Sequence, residues 1–420
     1  MRFPAFVVFG LLLGCGDDAM PPVDASLADM ALPEADAGID GGPACAVGSL
    51  LEGVPLPSLD DEDEWSCALQ GFEAPARITC LGENDHGVAE SWAVHGLLTA
   101  HFAATSGLDA VVLETGGSVG DRFDDFVRTG DEDALQAGMS ALRGTLGGST
   151  ALEAFIRRLR DLAEASGEPL HVIGMDIAIR PAIAIADLQG FLETAELTVT
   201  DSELCLDDRP DDRLTAAEAC DAIVSAIESD RSGLEEQVGA LETERGLRNA
   251  RNMAAGQRFL FHYEDDDFSA GSAVREPAMV ANLLDVVGDE NRAVVIGHNE
   301  HCGRGALVGR DPVTGEEILS LGTFIDEAYP DEFAVIGQLY RAGERTDFRT
   351  GRTAPYPDTA FLLEGSFDPL TDAPAFLLST ESTRIDFTVV ARTGWTTAFV
   401  PAERLDMIVW IRQVTATELR

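Results

Sequence analysis

The chain has 420 residues and a formal net charge of −45, from 74 acidic residues against 29 basic ones, all of them Arg. A charge this negative argues against nucleic-acid backbones and anionic lipid surfaces as partners. The complete lack of Lys excludes a lysine nucleophile or Schiff base.

The N-terminus reads as an address. Arg2 supplies a short basic start, Phe3 to Leu13 is almost wholly apolar, and Leu12-Leu13-Gly14-Cys15 closes the segment. An apolar run of this length is too short to span a membrane and reads as an export signal. Its end resembles a bacterial lipoprotein lipobox. That resemblance implies cleavage before Cys15, lipidation of the Cys15 thiol, and an exported protein held at a membrane only by its lipid. An ordinary signal peptide cleaved slightly later is the alternative. Gly16 to Glu64 holds 13 acidic residues and no basic one, with Pro21-Pro22 and Gly41-Gly42-Pro43 as breakers. Such a stretch cannot bury enough apolar surface to fold. It is expected to be a disordered acidic tether over residues 16–65, leaving one domain over 66–420.

The elements then alternate. Ala76–Leu81 is a β-prone run, and Glu90–Thr105 has helical spacing, with Trp92, Leu97, Leu98 and Phe102 on overlapping faces. Ala110–Leu113 is a short buried strand ending at Glu114. Leu152–Ala165 is a helix, and Leu170–Gly174 a strand ending near Asp176. This rhythm predicts an α/β fold with a mostly parallel sheet flanked by helices. Residues 181–261 change character, with helical patterns over Ile183–Ala195, Thr215–Ile227 and Gly233–Arg251 broken by the acidic run Asp207–Asp212. They read as a helical cap insertion. Arg275–Val287 resumes a helix before the strand Ala293–Ile296. Ala334 to Val414 is a β-rich C-terminal part, with turns at Leu363-Glu364-Gly365 and Arg392-Thr393-Gly394.

Six cysteines follow Cys15, and in an exported protein they allow up to three disulfides. Cys205–Cys220, which flank one Asp-rich loop, form the best-supported pair, and Cys45–Cys67 a second. Cys80 and Cys302 form either a third bridge or two quiet thiols; a Cys302 nucleophile is the sharper alternative.

The chemistry concentrates at strand ends, where ligands bind in open α/β sheets. Gly82-Glu83-Asn84-Asp85-His86-Gly87 follows one strand, and Gly297-His298-Asn299-Glu300-His301 another; together they hold three of the seven histidines. His86 has Glu83 and Asp85 beside it. A carboxylate on one imidazole nitrogen fixes the tautomer and leaves the other nitrogen basic, as a general base for water requires. His298 and His301 suit either polarisation of a carbonyl and its oxyanion or metal ligation with Glu83, His86 or Glu114, since such clusters also suit zinc. His95 and His101, on the following helix, read as packing or surface residues. His171 and His262 receive no role. Gly116-Gly117-Ser118-Val119-Gly120 matches a nucleophile elbow literally, but the acidic residues after it make a poor helix start. A Ser118 nucleophile is therefore a lesser reading. The same glycines lack the Gly-Lys-Ser/Thr ending of a phosphate loop.

Taken in order, these segments resemble the erythromycin esterase family over roughly residues 75–415. Gly82-Glu83 through His86-Gly87, with Glu90, is similar to its Gly-Glu-x-Thr-His-Gly opening. Val111–Glu114 resembles its next strand, and Val172–Asp176 its Tyr-Gly-x-Asp strand. Arg275–Met279 resembles its Arg-x-x-x-Met helix start, and Val294–His301 with Arg304 its His-Asn-x-His segment. The resemblance implies hydrolysis of a small-molecule cyclic ester by water, without a bound metal or other cofactor. By that carry-over His86 is the base, Glu83 and Glu114 orient it or the water, and His298 and His301 face the oxyanion. Arg275 pairs with a carboxylate of the site, and Asp176 supports it. Asn84-Asp85 is where the chain leaves the family pattern. The added Asp85 carboxylate is expected to raise the pKa of a neighbouring imidazole or to invite a cation. The remaining alternatives are a metal-dependent hydrolase built on the same Glu/His set and a non-catalytic binding lipoprotein.

Overall fold

The structure, a computed structural model, describes residues 53–56, 59, 62–143, 148–179, 181–310, 317–347, 350–356, 373–381, 391–393, 397–399 and 401–419. All belong to the compact unit Cys45–Arg420. The export segment, Cys15, Cys45 and the turn at Leu363-Glu364-Gly365 lie outside the described residues.

The main sheet runs, edge to edge, Val54–Leu56, Ala375–Ser379, Met407–Val414, Phe333–Asp347, Ile78–Glu83, Ala293–His298, Ala110–Gly116 and His171–Asp176, with Arg352–Tyr356 paired off Phe333–Asp347. The strands from Met407–Val414 to His171–Asp176 are mutually parallel. Val54–Leu56, Ala375–Ser379 and Arg352–Tyr356 pair antiparallel. The mostly parallel sheet expected from the sequence is therefore present, and its β-rich C-terminal part extends one edge of it.

The parallel strands are buried on both faces, which is why they read as near-continuous apolar runs. Alternate side chains serve two cores. Leu81, Val111, Leu113, Val172, Val294 and Ile296 join one, with Val94, Leu98 and Phe102 from the helix Ala89–Ser106 and Phe155, Ile156 and Leu159 from Thr150–Ser166. Cys80, Val112, Met175 and Val295 join the other, with Met279, Leu283 and Val287 from the helix Phe268–Val287 and Ile325 from Leu321–Ala328.

The helical insertion is present with its own core. Leu188, Leu192, Ile223, Ile227, Leu247, Ala250 and Met253 pack around a Cys205–Cys220 disulfide. Its helices are Ala182–Thr194, Ser202–Cys205, Arg213–Ser229, Arg231–Val238 and Ala240–Glu264. The single helix expected over Gly233–Arg251 is two, because Gly239 takes φ +95° between them. L-residues rarely adopt that conformation, and glycine adopts it freely.

Two other expectations change. Residues 54–56 and 62–65, expected to lie in the tether, belong to a strand and a helix instead. Val54–Leu56 pairs with Ala375–Leu377, and Trp65 on the helix Glu62–Ala68 is 1% exposed in the core. The strand finds its partner more than three hundred positions away, which local composition does not reveal. Cys80 is bonded to Cys302, so Cys302 is not a free nucleophile. Cys67 is disulfide-bonded too.

Candidate active site

Strand register builds the site. Ile78–Glu83 and Ala293–His298 run parallel with Glu83 opposite His298. On the other side of Ala293–His298, Leu113 aligns with Ile296. The pairing of Ala110–Gly116 with His171–Asp176 slips between Leu113 and Gly116, so that Gly116 meets Asp176. A bulge of this kind re-aims the side chains within it, and Glu114 lies there. The four strand ends singled out in the sequence thus belong to four neighbouring strands of one sheet.

Glu83 is 3% exposed, and its Oε1 lies 2.5 Å from His86 Nδ1. Nδ1 is the donor to a carboxylate, which leaves Nε2 without a protein partner among the described residues. Burial alone would lower the His86 pKa. The Glu83 charge and hydrogen bond outweigh it, with Glu114 and Asp85 adding less, and lift it to about 9. The ring is 32% exposed, so solvent damps part of that shift. For Glu83 the penalty of burial is likewise outweighed by His86, and its pKa falls below the usual carboxylate range.

Beside this pair is a charged cluster centred on Arg275. Its Nε and Nη2 donate to Asp176 Oδ1 and Oδ2 at 2.8 and 2.7 Å, and Nη2 also donates to Glu114 Oε1 at 2.9 Å. Glu114 Oε2 accepts the His298 backbone N–H at 2.8 Å. Despite burial, Glu114 is held well below its ordinary pKa by His301 and Arg275. His301 Nε2 lies 3.3 Å from Glu114 Oε1. Its Nδ1 lies 2.7 Å from Glu276 Oε1, close enough for an ion pair although out of line for a hydrogen bond. Burial opposes the charged form of His301, but Glu276 and Glu114 lift its pKa to about 10. Its Nε2 also lies 3.2 Å from Arg275 Nη1.

His298 differs. Its Nε2 donates to the Asn84 carbonyl at 3.1 Å, and its Nδ1 accepts the Glu300 N–H at 3.3 Å. Both ring nitrogens are engaged by backbone, and the ring lies 5.3 Å from that of His86. Burial, then the charge of His86, push its pKa below the ordinary value. It is a neutral ring beside His86.

Asp85 turns away from the imidazoles. It accepts the Gly87 N–H at 2.8 Å and pairs with Arg345 at 2.8 Å. The cation it attracts is a side chain of the same protein, and among the charges that raise the His86 pKa it ranks behind Glu83 and Glu114. Glu90 binds Thr415 through both carboxylate oxygens at 2.7 Å. Among the described residues no group of three or more His, Cys, Asp and Glu side chains is arranged to hold a metal ion.

Ser118 is buried in the first turn of the helix Gly117–Thr129, which follows the strand directly. Among the described residues no histidine hydrogen-bonds its hydroxyl. His101 stacks on Phe72 and hydrogen-bonds its carbonyl, the packing role expected for it. His171 lies 3.4 Å from Asp124 on the surface.

Two parts of the site had no reading in the sequence. Glu276, 1% exposed, sets the charge of His301 while its Oε2 accepts the Leu321 N–H at 2.8 Å; adjacency to Arg275 was the only available hint. Beneath His86, Asn84 donates to Tyr356 at 2.7 Å and accepts from Asn299 at 3.3 Å, while Asn299 also donates to the Gln338 carbonyl at 2.8 Å. Buried networks of this kind fix loop geometry when their members are satisfied.

Comparison with known proteins adds to this geometry. The family model for erythromycin esterase matches residues 103–414. In fold the chain is similar to the crystal structure of a Bacillus cereus protein, with 17% identity and TM-score 0.66 over 88% of this chain and 97% of that one. It is similar to a mutant of the erythromycin esterase EreC in its open conformation, with 14% identity and TM-score 0.67 over 86% of this chain and 98% of that one. It is also similar to a succinoglycan biosynthesis protein, with 14% identity and TM-score 0.64 over 88% and 97%. No curated protein matches the sequence.

Proposed function

The chain belongs to the erythromycin esterase family, and from that premise we propose that it hydrolyses a small-molecule ester or lactone with water activated by His86. The observation that carries the reading is the Glu83–His86 pair, in which one nitrogen is held by a buried carboxylate and the other is left for water. The matched region begins after His86, so the assignment of the base stands on this geometry.

In the proposed reaction His86 Nε2 takes a proton from water as the water oxygen attacks the carbonyl carbon. The carbonyl π electrons move to oxygen, and the oxyanion forms beside the positive charge of His301 and Arg275. Collapse expels the alkoxide, which recovers the proton from His86. An acid and an alcohol result, on one molecule if the substrate is a lactone. His301 suits the electrostatic role because its neighbours keep it charged. His298 is proposed to act as a wall that confines water, since its nitrogens are engaged. Glu114 and Asp176 orient Arg275.

The proposal invokes no metal. What supports this is that the carboxylates are committed: Glu83 to His86, Glu114 and Asp176 to Arg275, and Glu276 to His301. We also propose that the protein is exported and lipid-anchored through Cys15. The bridges Cys80–Cys302 and Cys205–Cys220 support the export, because such bonds persist in oxidising compartments.

Hydrolysis of an ester and lactone panel in ¹⁸O-water tests the reaction. The proposal expects one labelled oxygen in the carboxylate product and no acyl-protein trapped by hydroxylamine. A trapped acyl-protein contradicts it.

A further inference from the structure

The helix that follows the His86 loop carries a second histidine for which packing alone gives no reason. His95 is fully buried, and neither of its ring nitrogens has a hydrogen-bond partner among the described residues. Trp92 stands edge-on to it, 5.5 Å between ring centroids. Burying an unpartnered polar group forfeits its hydrogen bonds to water, and a leucine in the same place avoids that cost. Glu83 presents the complementary orphan. Its Oε1 holds His86, while its Oε2 is buried without a partner among the described residues.

The two orphans are electrostatic neighbours. His95 is among the charges that act on Glu83, and Glu83 and His86 are the titratable groups that act on His95. Burial, then His86, outweigh Glu83 and push the His95 pKa down to about 4. A neutral imidazole keeps one N–H, which is the group that a second carboxylate oxygen requires.

We infer that His95 is a positioning residue, whose ring N–H holds Oε2 of Glu83 through one bridging water, so that Oε1 stays aimed at His86. A carboxylate gripped at both oxygens does not turn about its last torsion, which is otherwise broad and soft. The base is then held in a single tautomer and a single orientation. The inference rests on the reading of His86 as the base. It adds a third member to the Glu83–His86 pair, supplied by the helix Ala89–Ser106.

The test compares His95→Leu, His95→Gln and His86→Ala with the unsubstituted protein. Two readouts are used: hydrolysis of 4-nitrophenyl acetate, and NMR titration of His86 in protein labelled with ¹³C-histidine. His95→Leu is expected to melt no lower than the parent, to lose roughly 10-fold or more in kcat at constant KM, and to titrate His86 at higher pH. His95→Gln keeps a donor and is expected to recover most of kcat. A leucine variant with parental kcat and unchanged His86 titration overturns the inference. If the leucine variant does not fold, Glu83→Gln replaces it: the His95 ring resonances must move, and unmoved resonances overturn the inference. Retained hydrolysis in His86→Ala sinks the reading of the base, while the NMR arm still decides on His95.

Discussion

Arg275 grips Asp176 with two parallel hydrogen bonds, Nε to Oδ1 at 2.8 Å and Nη2 to Oδ2 at 2.7 Å, across 99 residues of chain. The same Nη2 reaches Glu114. One planar cation therefore ties the ends of two strands to the helix Phe268–Val287. Removing it in Arg275→Ala leaves two nearly buried carboxylates without their cation, which costs about 3–5 kcal/mol. Arg275→Lys is expected to recover little, because an ammonium cannot make the two-pronged contact. Urea unfolding of both variants checks this, and a lysine variant as stable as the parent contradicts it.

Glu83→Gln is expected to move the pH–rate profile. His86 must be neutral to accept a proton, and Glu83 lifts its pKa to about 9. The parent kcat/KM is then expected to rise with pH towards an alkaline plateau. Without the carboxylate, burial is the dominant influence on His86 and lowers its pKa, so the inflection moves to lower pH. The plateau is expected to fall by about 100-fold as the ring loses its orientation. An unmoved inflection counts against the pairing.

Stability should carry the signature of His301. Its folded pKa, about 10, lies above the ordinary value of 6.5. The stability it contributes is thus fully present below pH 6.5 and is lost as pH rises through about 10. Unfolding free energy measured between pH 6 and 10.5 should fall across that window. The fall should be shallower in Glu276→Gln, which removes the first of the charges that hold the proton. Equal slopes in the two proteins contradict this account of His301.

The cap disulfide closes a short loop of sequence separation 15. Cys205→Ala with Cys220→Ala is expected to destabilise the protein by about 3 kcal/mol through the entropy of the unfolded chain. Because the bond lies in a core separate from the His86 cluster, kcat at low temperature should persist. A loss of kcat in the folded double variant would place the bridge in the catalytic machinery.

Ser118→Ala and prolonged chelation should each leave turnover within a factor of about 2, since the proposed reaction uses neither a serine nucleophile nor a metal. Loss of activity in Ser118→Ala revives the serine nucleophile. Loss on chelation, restored by zinc, favours the metal-dependent reading of the same Glu/His set.

The sheet and the ends of its strands were legible because parallel strands buried on both faces leave unbroken apolar runs, and the polar residue that ends each run stands out. The helices Ala89–Ser106 and Thr150–Ser166 were legible from their spacing. Long-range partners were not. Asp85 was the unsettling residue in the sequence, and its answer, Arg345, stands 260 positions away. Glu276 sits inside a helix, where a buried carboxylate looks like any exposed one until the facing His301 is placed. His298 read as a group facing the oxyanion or a metal, yet its nitrogens are taken by the Asn84 carbonyl and the Glu300 N–H, contacts that carry no side-chain signal. The strand Val54–Leu56 was hidden for the same reason, since it forms only by pairing with Ala375–Leu377.

The most direct test of the central claim is the rate of ester and lactone hydrolysis by His86→Ala beside the parent, at pH 9 and with circular dichroism to confirm the fold. The account expects a folded variant whose kcat is lower by about 100-fold or more, the usual scale of a general base, on every substrate the parent cleaves. A folded His86→Ala protein that turns over those substrates at the parental rate contradicts it.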